Sequence, residues 1–213
     1  MKKLFYILLT LTACYTLTGC SDDEWGNGDP AMEHIYYIGF EDWGKFDNKI
    51  TFEPAKGTPL AIPVQFHSER VRSYNVTTYY YVASEGLDYG THYQVVDKDG
   101  KLLQPDSNGA FSLQWDKAVK GVQNIYVKSI KSKYVYDESK LDFTGLTEKE
   151  KQELIKKEKE RINNLNSYRV CTFDPKAGAI SHPENITNSK TNDYEVRSFS
   201  QNYFRVVFVD KVK

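Results

Sequence analysis

The sequence has little cysteine and no excess of charge of either sign. Its 213 residues include three cysteines, and 28 basic residues nearly balance 29 acidic ones, giving a formal net charge of −1. Three cysteines are too few for a disulfide-stapled scaffold. A balanced charge excludes the Lys/Arg excess that marks a basic nucleic-acid-binding domain, so we expect no nucleic-acid partner. The apolar content of 40% excludes a wholly disordered chain.

Sequence signatures of catalysis and of metal binding are also missing. No G-x-S-x-G elbow, H-E-x-x-H helix or phosphate-binding loop occurs. The histidines are isolated and lack metal-ligand spacing: His34, His67, His92 and His182. Carboxylates for glycoside hydrolysis are available at Glu41, Asp42, Glu85 and Asp88. A pair of carboxylates is easy to find by chance among 29 acidic residues, so these four do not indicate an active site. Because catalytic and metal-binding motifs are also missing, we expect a protein without catalytic activity, metal or cofactor.

Residues 1–20 are typical of an exported lipoprotein. Lys2 and Lys3 precede a mostly apolar stretch over 4–17, which is shorter than the roughly 20 residues of a transmembrane helix. Leu17-Thr18-Gly19-Cys20 then resembles the lipobox of bacterial lipoproteins, whose cysteine is diacylated and becomes the N-terminus after cleavage. We therefore expect a signal peptide over 1–19 and membrane attachment through lipidated Cys20 without a span. A plain signal peptide followed by a chance cysteine is the alternative.

An acidic cluster directly follows the expected lipidation site. Ser21-Asp22-Asp23-Glu24 resembles the surface-export signal of Bacteroidetes lipoproteins. This implies a protein anchored in the outer membrane and facing the cell exterior; the alternative is a solvated acidic tether. Residues 20–33, with Gly26, Gly28 and Pro30, are interpreted as a flexible tether to one domain over 34–213.

Alternation of apolar and polar residues with period two dominates the rest of the chain and predicts β-strands. The clearest strands are 60–66, 74–83, 111–115 and 125–127. Pro63 lacks an N–H group, so its strand is predicted at a sheet edge or at a bulge. Residues 194–199 and 203–209 are predicted to form a final hairpin. Short strands joined by turns predict an antiparallel, immunoglobulin-like β-sandwich.

One segment between the strands has helical periodicity. Thr147-Glu148-Lys149-Glu150 is a capping box, and a narrow apolar stripe follows at Leu154, Ile155, Ile162 and Leu165. We predict an amphipathic helix over about 147–165, inserted in the sandwich. It is expected to pack across an edge or end of the sandwich; docking of a partner protein is the alternative.

The segment 81–93 carries a resemblance to a known family. Ala83-Ser84-Glu85-Gly86, followed by Tyr89, resembles the "small residue–x–Glu-Gly–x–x–Tyr" segment of Calx-beta-like and related immunoglobulin-like domains. Such domains occur in Bacteroidetes surface lipoproteins of about this size. The resemblance implies a glycan-binding role, or an accessory role beside an outer-membrane glycan-uptake system, with no catalytic residue. Calx-beta domains bind calcium through acidic loops, but the acidic residues from Glu85 to Asp99 are too sparse to predict such a site.

Aromatic residues provide the candidate ligand contacts. Sugar rings stack on flat aromatic faces, and polar groups at the rim fix their hydroxyls. Tyr79 and Tyr81 share one strand face and are expected to form an exposed shelf, whereas Tyr80 and Trp115 are expected in the core. Trp43 lies in a loop-like segment and is the third candidate. Ordinary cross-strand packing is the alternative for the tyrosines.

Two further expectations concern partners and the remaining cysteine of the body. If the ligand is not a polysaccharide, the chain is a protein-binding adhesin or assembly module that uses the charged helix and exposed strand edges as contact surfaces. Cys171 lies in a strand-like run and is expected to be a buried thiol that acts as a small hydrophobic residue.

Overall fold

The backbone is organised as two stacked sheets, as seen in a computed structural model that describes residues 34–41, 51–52, 57–172, 194–198 and 203–213. Within these residues the strands are β1 (Ile35–Phe40), β2 (Thr51–Phe52), β3 (Leu60–His67), β4 (Val76–Ala83), β5 (Tyr93–Val96), β6 (Phe111–Trp115), β7 (Gly121–Ser129), β8 (Ser167–Cys171), β9 (Glu195–Ser198) and β10 (Phe204–Phe208). The helix α1 is Glu148–Leu165. Short 3-10 turns occupy Asp116–Ala118 and Glu138–Lys140.

Within the part of the chain that the structure describes, each sheet contains five strands. The first sheet has the order β5-β7-β3-β1-β9, and the second has the order β2-β10-β8-β4-β6. The pairs β1–β3, β3–β7, β4–β6, β4–β8, β5–β7 and β8–β10 are antiparallel, whereas β10 pairs with β2 in parallel. The unit that begins at Tyr36 contains both sheets; residues 1–35 are a separate unit that lies almost wholly outside the described residues. The predicted tether and domain boundary therefore stay predictions.

Aromatic side chains from the two sheets meet in the core. The rings of Phe66 (β3) and Trp115 (β6) stack with centroids 4.8 Å apart, and those of Tyr93 (β5) and Tyr168 (β8) stack at 4.4 Å. Tyr80 is also buried, at 3% exposure. Because each pair joins strands of different sheets, the predicted immunoglobulin-like sandwich and the core positions of Tyr80 and Trp115 are confirmed.

The edge position predicted for the strand that contains Pro63 is wrong. Strand β3 lies in the middle of its sheet, between β7 and β1. Pro63 lies opposite the end of β1, where its carbonyl accepts the Glu41 N–H at 3.2 Å. In an antiparallel strand the N–H and C=O groups of one residue point to the same side. The N–H group that Pro63 lacks would therefore point toward the end of β1, so its absence does not affect the pairing with β7. An internal strand therefore tolerates this proline.

The predicted hairpin near the C-terminus is also wrong. Strand β9 joins the first sheet beside β1, whereas β10 joins the second sheet between β2 and β8. The two strands therefore lie in different sheets and do not pair with each other. Both strands have the predicted alternation of apolar and polar residues. Strand pairing, however, uses backbone N–H and C=O groups that are the same in almost every residue, so the alternation does not indicate which strand is the partner.

The predicted helix is present and begins at the predicted capping box. The Glu150 carboxylate accepts the Thr147 N–H at 2.8 Å, and the Thr147 hydroxyl oxygen accepts the Glu150 N–H at 3.4 Å. At the other end Ile162 is buried, and the Leu165 carbonyl lies against Gly86 in the turn after β4. The C-terminal half of α1 thus packs on one end of the sandwich, as expected.

Candidate functional site

A surface cleft of about 360 Å³ lies between β4, β6 and the segment that leads from β5 to β6. Its lining residues are Tyr79, Tyr80, Leu103, Gln104, Pro105, Asp106, Ala110, Phe111 and Ser112. Ligand-binding pockets in proteins begin at about this volume and combine apolar walls with a few converging polar groups. The cleft has both, and it is the strongest candidate for a binding site among the described residues.

Hydrogen bonds fix the wall formed by residues 103–110. The Asp106 carboxylate oxygen Oδ1 accepts the N–H groups of Asn108 at 2.8 Å and Ala110 at 2.9 Å. The Asp106 N–H in turn donates to the Ala110 carbonyl at 2.8 Å, which closes a turn in which Gly109 has a φ of +83°. At the start of this wall the Leu103 carbonyl accepts the Tyr89 hydroxyl at 2.9 Å. The wall is therefore held in place before any ligand binds.

The floor of the cleft is aromatic and rests on the core. Tyr80 and Phe111 point inward and stack with centroids 5.3 Å apart. On the outer face Tyr79 lies directly opposite Ser112 across the β4–β6 pair. Burial raises the pKa of the Tyr79 phenol, and the neighbouring Tyr194 and Asp106 raise it further. Tyr79 is thus a neutral, half-buried ring beside a carboxylate and a hydroxyl.

Of the three predicted ligand contacts, the structure places only Tyr79 at this cleft. Tyr81 is 7% exposed, so the exposed shelf predicted for Tyr79 and Tyr81 is wrong. Trp43 lies outside the described residues. A role of these residues in binding stays a prediction.

Tyr81 belongs instead to a small apolar cluster on the outer face of the second sheet. Cys171 on β8 lies opposite both Tyr81 on β4 and Phe204 on β10, so the three residues lie side by side across neighbouring strands. Cys171 is 5% exposed and the neighbouring Ala110 is 2% exposed. The Arg169 guanidinium lies over the Phe204 ring at 5.6 Å. Tyr81 thus follows the alternative of cross-strand packing, and Cys171 is a buried thiol as predicted.

The remaining polar contacts of the cleft were missed at the sequence level. Pro105-Asp106-Ser107-Asn108-Gly109 is a dense run of turn-forming residues, and that pattern predicts a turn. It does not predict that Gln104 and Asp106 lie beside Tyr79, which is 27 positions from Asp106 in the sequence. Only the pairing of β4 with β6 brings these segments together.

Two other kinds of feature are missing from the described residues. No group of three or more His, Cys, Asp or Glu side chains in the described ranges is arranged to hold a metal ion. The helices of the described segments include none that is long and apolar enough to cross a membrane. Cys20, the predicted lipidation site, lies outside these residues.

Comparison with known proteins gives a likeness of fold only. The chain matches no protein-family model and no curated protein sequence. Among solved structures it is similar to the apo form of the Calx CBD1 domain, with 9% sequence identity and a TM-score of 0.39. The match covers 81% of this chain and 93% of that domain.

Proposed function

We propose that this protein is a non-catalytic lipoprotein of the outer cell surface that binds an uncharged glycan in the cleft around Tyr79. The observation that carries the proposal is the position of the half-buried Tyr79 ring beside the polar groups of Asp106 and Ser112. A sugar ring offers a C–H face for the aromatic ring and hydroxyl groups for such acceptors. In this role the protein serves on its own or as an accessory to an outer-membrane glycan-uptake system.

The cleft wall supports this reading because it is rigid and mixed in polarity. Leu103 and Pro105 supply apolar surface, while Gln104 and Asp106 are exposed and able to bond hydroxyls. Oδ1 of Asp106 already accepts two N–H groups of the turn, so we expect its second oxygen to accept a ligand hydroxyl. A wall that is ordered in advance lowers the entropy lost on binding.

The test uses the full-length chain in detergent, titrated calorimetrically with xylo-, manno-, cello- and malto-oligosaccharides. We expect one series to bind, Tyr79→Ala to weaken binding about tenfold, and Tyr79→Phe to bind nearly as the wild type does, since stacking needs only the ring. Tyr136→Ala, which removes a surface tyrosine near α1, is the matched control. Equal affinities of the wild type and Tyr79→Ala would contradict the assignment of the cleft.

Membrane attachment through Cys20 is part of the same proposal. The lipobox-like residues and the acidic cluster after Cys20 support it. We expect the wild type to partition into a detergent phase and to incorporate a fatty-acid analogue, and Cys20→Ala to lose both properties. Digestion by protease added to intact cells reports whether the domain faces outward, and a protected domain argues for the periplasmic side.

A protein partner is the second candidate, because one loop exposes apolar surface. Val135 is 80% exposed and lies between the half-buried Tyr134 and Tyr136, in the segment that connects β7 to α1. If no oligosaccharide or polysaccharide binds, photo-crosslinking from position 135 on intact cells tests this candidate. A discrete crosslinked product that Val135→Glu abolishes would favour an adhesin or assembly module.

A further inference from the structure

The outer face of β4 continues beyond the cleft around Tyr79. Alternate residues of a strand point to opposite faces, and Thr78 and Tyr80 are buried in the core. Thr77 therefore points outward, on the same face as Tyr79. Two residues along a strand are separated by roughly 7 Å, which is comparable to the length of one sugar unit. A sugar chain that follows β4 with one ring on Tyr79 thus places its next ring at Thr77.

Strand β6 completes this neighbouring position with a glutamine. Ser112 lies opposite Tyr79 across the strand pair, and Gln114 lies opposite Thr77. Ser112 and Gln114 are both exposed, whereas Thr77 is half-buried. Ser112 belongs to the lining of the cleft, and neither Thr77 nor Gln114 does. We call Thr77 and Gln114 the adjoining pair, because they form the next cross-strand row outside the cleft.

Hydrogen bonds orient the adjoining pair. The Thr77 hydroxyl donates to Oε1 of the Gln114 amide at 3.0 Å. The backbone is held as well, because the Thr77 N–H donates to the Tyr194 hydroxyl at 3.1 Å and the Gln114 carbonyl accepts the Gln123 side-chain amide at 2.6 Å. Side chains that are ordered in advance lose less conformational entropy when a ligand binds.

This arrangement leaves the donor end of the Gln114 amide available. Its oxygen is engaged by the Thr77 hydroxyl, and within the described part of the chain no acceptor lies within hydrogen-bond distance of its nitrogen Nε2. An amide NH₂ group has two donors, whereas an ionised carboxylate only accepts. The Asp106 carboxylate in the cleft and the Gln114 amide beside it therefore offer opposite hydrogen-bonding groups, and sugar hydroxyls can bond both.

We infer that the adjoining pair is a second sugar subsite, which binds the unit next to the one that stacks on Tyr79. The inference rests on the proposed function of the cleft and adds a preference for linear chains that follow β4. Gln114 donates to the hydroxyls of the second unit. Thr77 is a positioning residue, since its hydroxyl orients the amide.

The test measures how affinity depends on the length of the sugar, using the full-length chain in detergent. Calorimetry measures xylo-, manno-, cello- and maltotetraose directly, and the methyl glycosides of their monosaccharides by displacement. We expect Gln114→Ala to weaken tetrasaccharide binding about fivefold and methyl glycoside binding less than about twofold, since a single unit occupies only the cleft. Thr77→Val keeps the branched side chain without the hydroxyl and is expected to weaken tetrasaccharide binding about threefold.

Gln94→Ala is the matched control for loss of a strand glutamine. Gln94 lies on β5 in the other sheet, and its side-chain amide also makes a hydrogen bond, to the Gly90 carbonyl at 3.3 Å. Its replacement is expected to leave both affinities unchanged. Unfolding by urea verifies that each variant folds.

Tyr79→Ala, measured beside these variants, separates the inference from the proposed cleft. If Tyr79→Ala weakens both ligands and Gln114→Ala weakens the tetrasaccharide alone, the inference holds. If Tyr79→Ala weakens both but Gln114→Ala changes neither affinity, or changes both equally, the inference is overturned and the cleft stands. If Tyr79→Ala binds as the wild type does, or the wild type binds none of these sugars, the cleft assignment fails and the inference is overturned with it.

Discussion

Gly86 illustrates how one residue joins two parts of the molecule. A Cβ atom at this position would lie 2.6 Å from the Leu165 carbonyl oxygen at the end of α1 and 3.0 Å from the Tyr134 ring. The Ser84 hydroxyl donates to the Ser167 carbonyl at 2.6 Å and accepts the Leu87 N–H at 3.1 Å, which fixes the turn against β8. The glycine of the Glu85-Gly86 motif is therefore needed because a side chain would not fit. Its backbone conformation does not require glycine, since its φ is not positive.

Replacing this glycine tests the close approach. Gly86→Ala is expected to lower the free energy of unfolding by about 1–3 kcal/mol, because the carbonyl that the new methyl group meets is backbone and cannot turn aside. Gly121→Ala is the control: a Cβ there meets nothing within 4 Å. Urea unfolding followed by circular dichroism measures both variants, and equal losses would show that the clash is not the cause.

At the scale of an element, α1 is held by polar side chains as well as by its apolar stripe. The Asn166 side chain accepts the N–H groups of Lys133 at 3.1 Å and Tyr134 at 3.0 Å and donates to the Tyr134 carbonyl at 2.6 Å. Asn163 bonds both backbone groups of Val212, at 2.8 Å and 3.2 Å. Two asparagines thus satisfy backbone groups of segments that run beside the end of the helix.

Loss of the Asn166 amide is expected to weaken this end of the molecule. Asn166→Ala leaves three backbone groups of Lys133 and Tyr134 without their partner, at a cost of about 1–3 kcal/mol in unfolding free energy. Hydrogen exchange should also become faster at these two amides than in the wild type. Asn164→Ala, at an exposed position two residues earlier, is expected to change neither quantity. Unchanged exchange in Asn166→Ala would refute the anchoring role.

At the scale of the whole molecule, the sandwich interior is rich in phenol groups. Tyr168 is fully buried, and its hydroxyl shares a 3.2 Å hydrogen bond with that of Ser129. Burial raises the pKa of Tyr168 and of Tyr80 well above the usual value of 10.0. Burial, followed by the effects of Tyr89 and Asp88, raises the pKa of Tyr93 to about 12. The folded state therefore requires these phenols to be neutral.

This requirement predicts a loss of stability in alkali. An unfolded tyrosine ionises near pH 10, whereas Tyr93 in the folded protein keeps its proton to about pH 12. The contribution of neutral Tyr93 to the free energy of unfolding is complete below about pH 10. It is lost as the pH rises toward about 12, and the loss for Tyr93 alone is about 2–3 kcal/mol. The urea midpoint is expected to fall over this range, and Tyr93→Phe is expected to flatten the fall. A wild-type midpoint independent of pH would contradict this account.

Local patterns determined the elements of this protein. The alternation around Ile62, Val64 and Phe66 defined the inward face of β3, and the capping box defined the start of α1, because each depends on neighbours a few residues away. The burial of Tyr80 followed from the same alternation.

Only the tertiary structure decided where these elements meet and what covers them. It placed β9 and β10 in different sheets and Pro63 within an internal strand, since strand pairing uses backbone groups common to every residue. Alternation assigned Tyr79 and Tyr81 to one face, but the neighbours on β6, β8 and β10 left Tyr79 at a cleft and buried Tyr81 beside Cys171. The alternation in a sequence indicates which side chains share a strand face. Long-range packing determines which of these side chains are exposed to solvent.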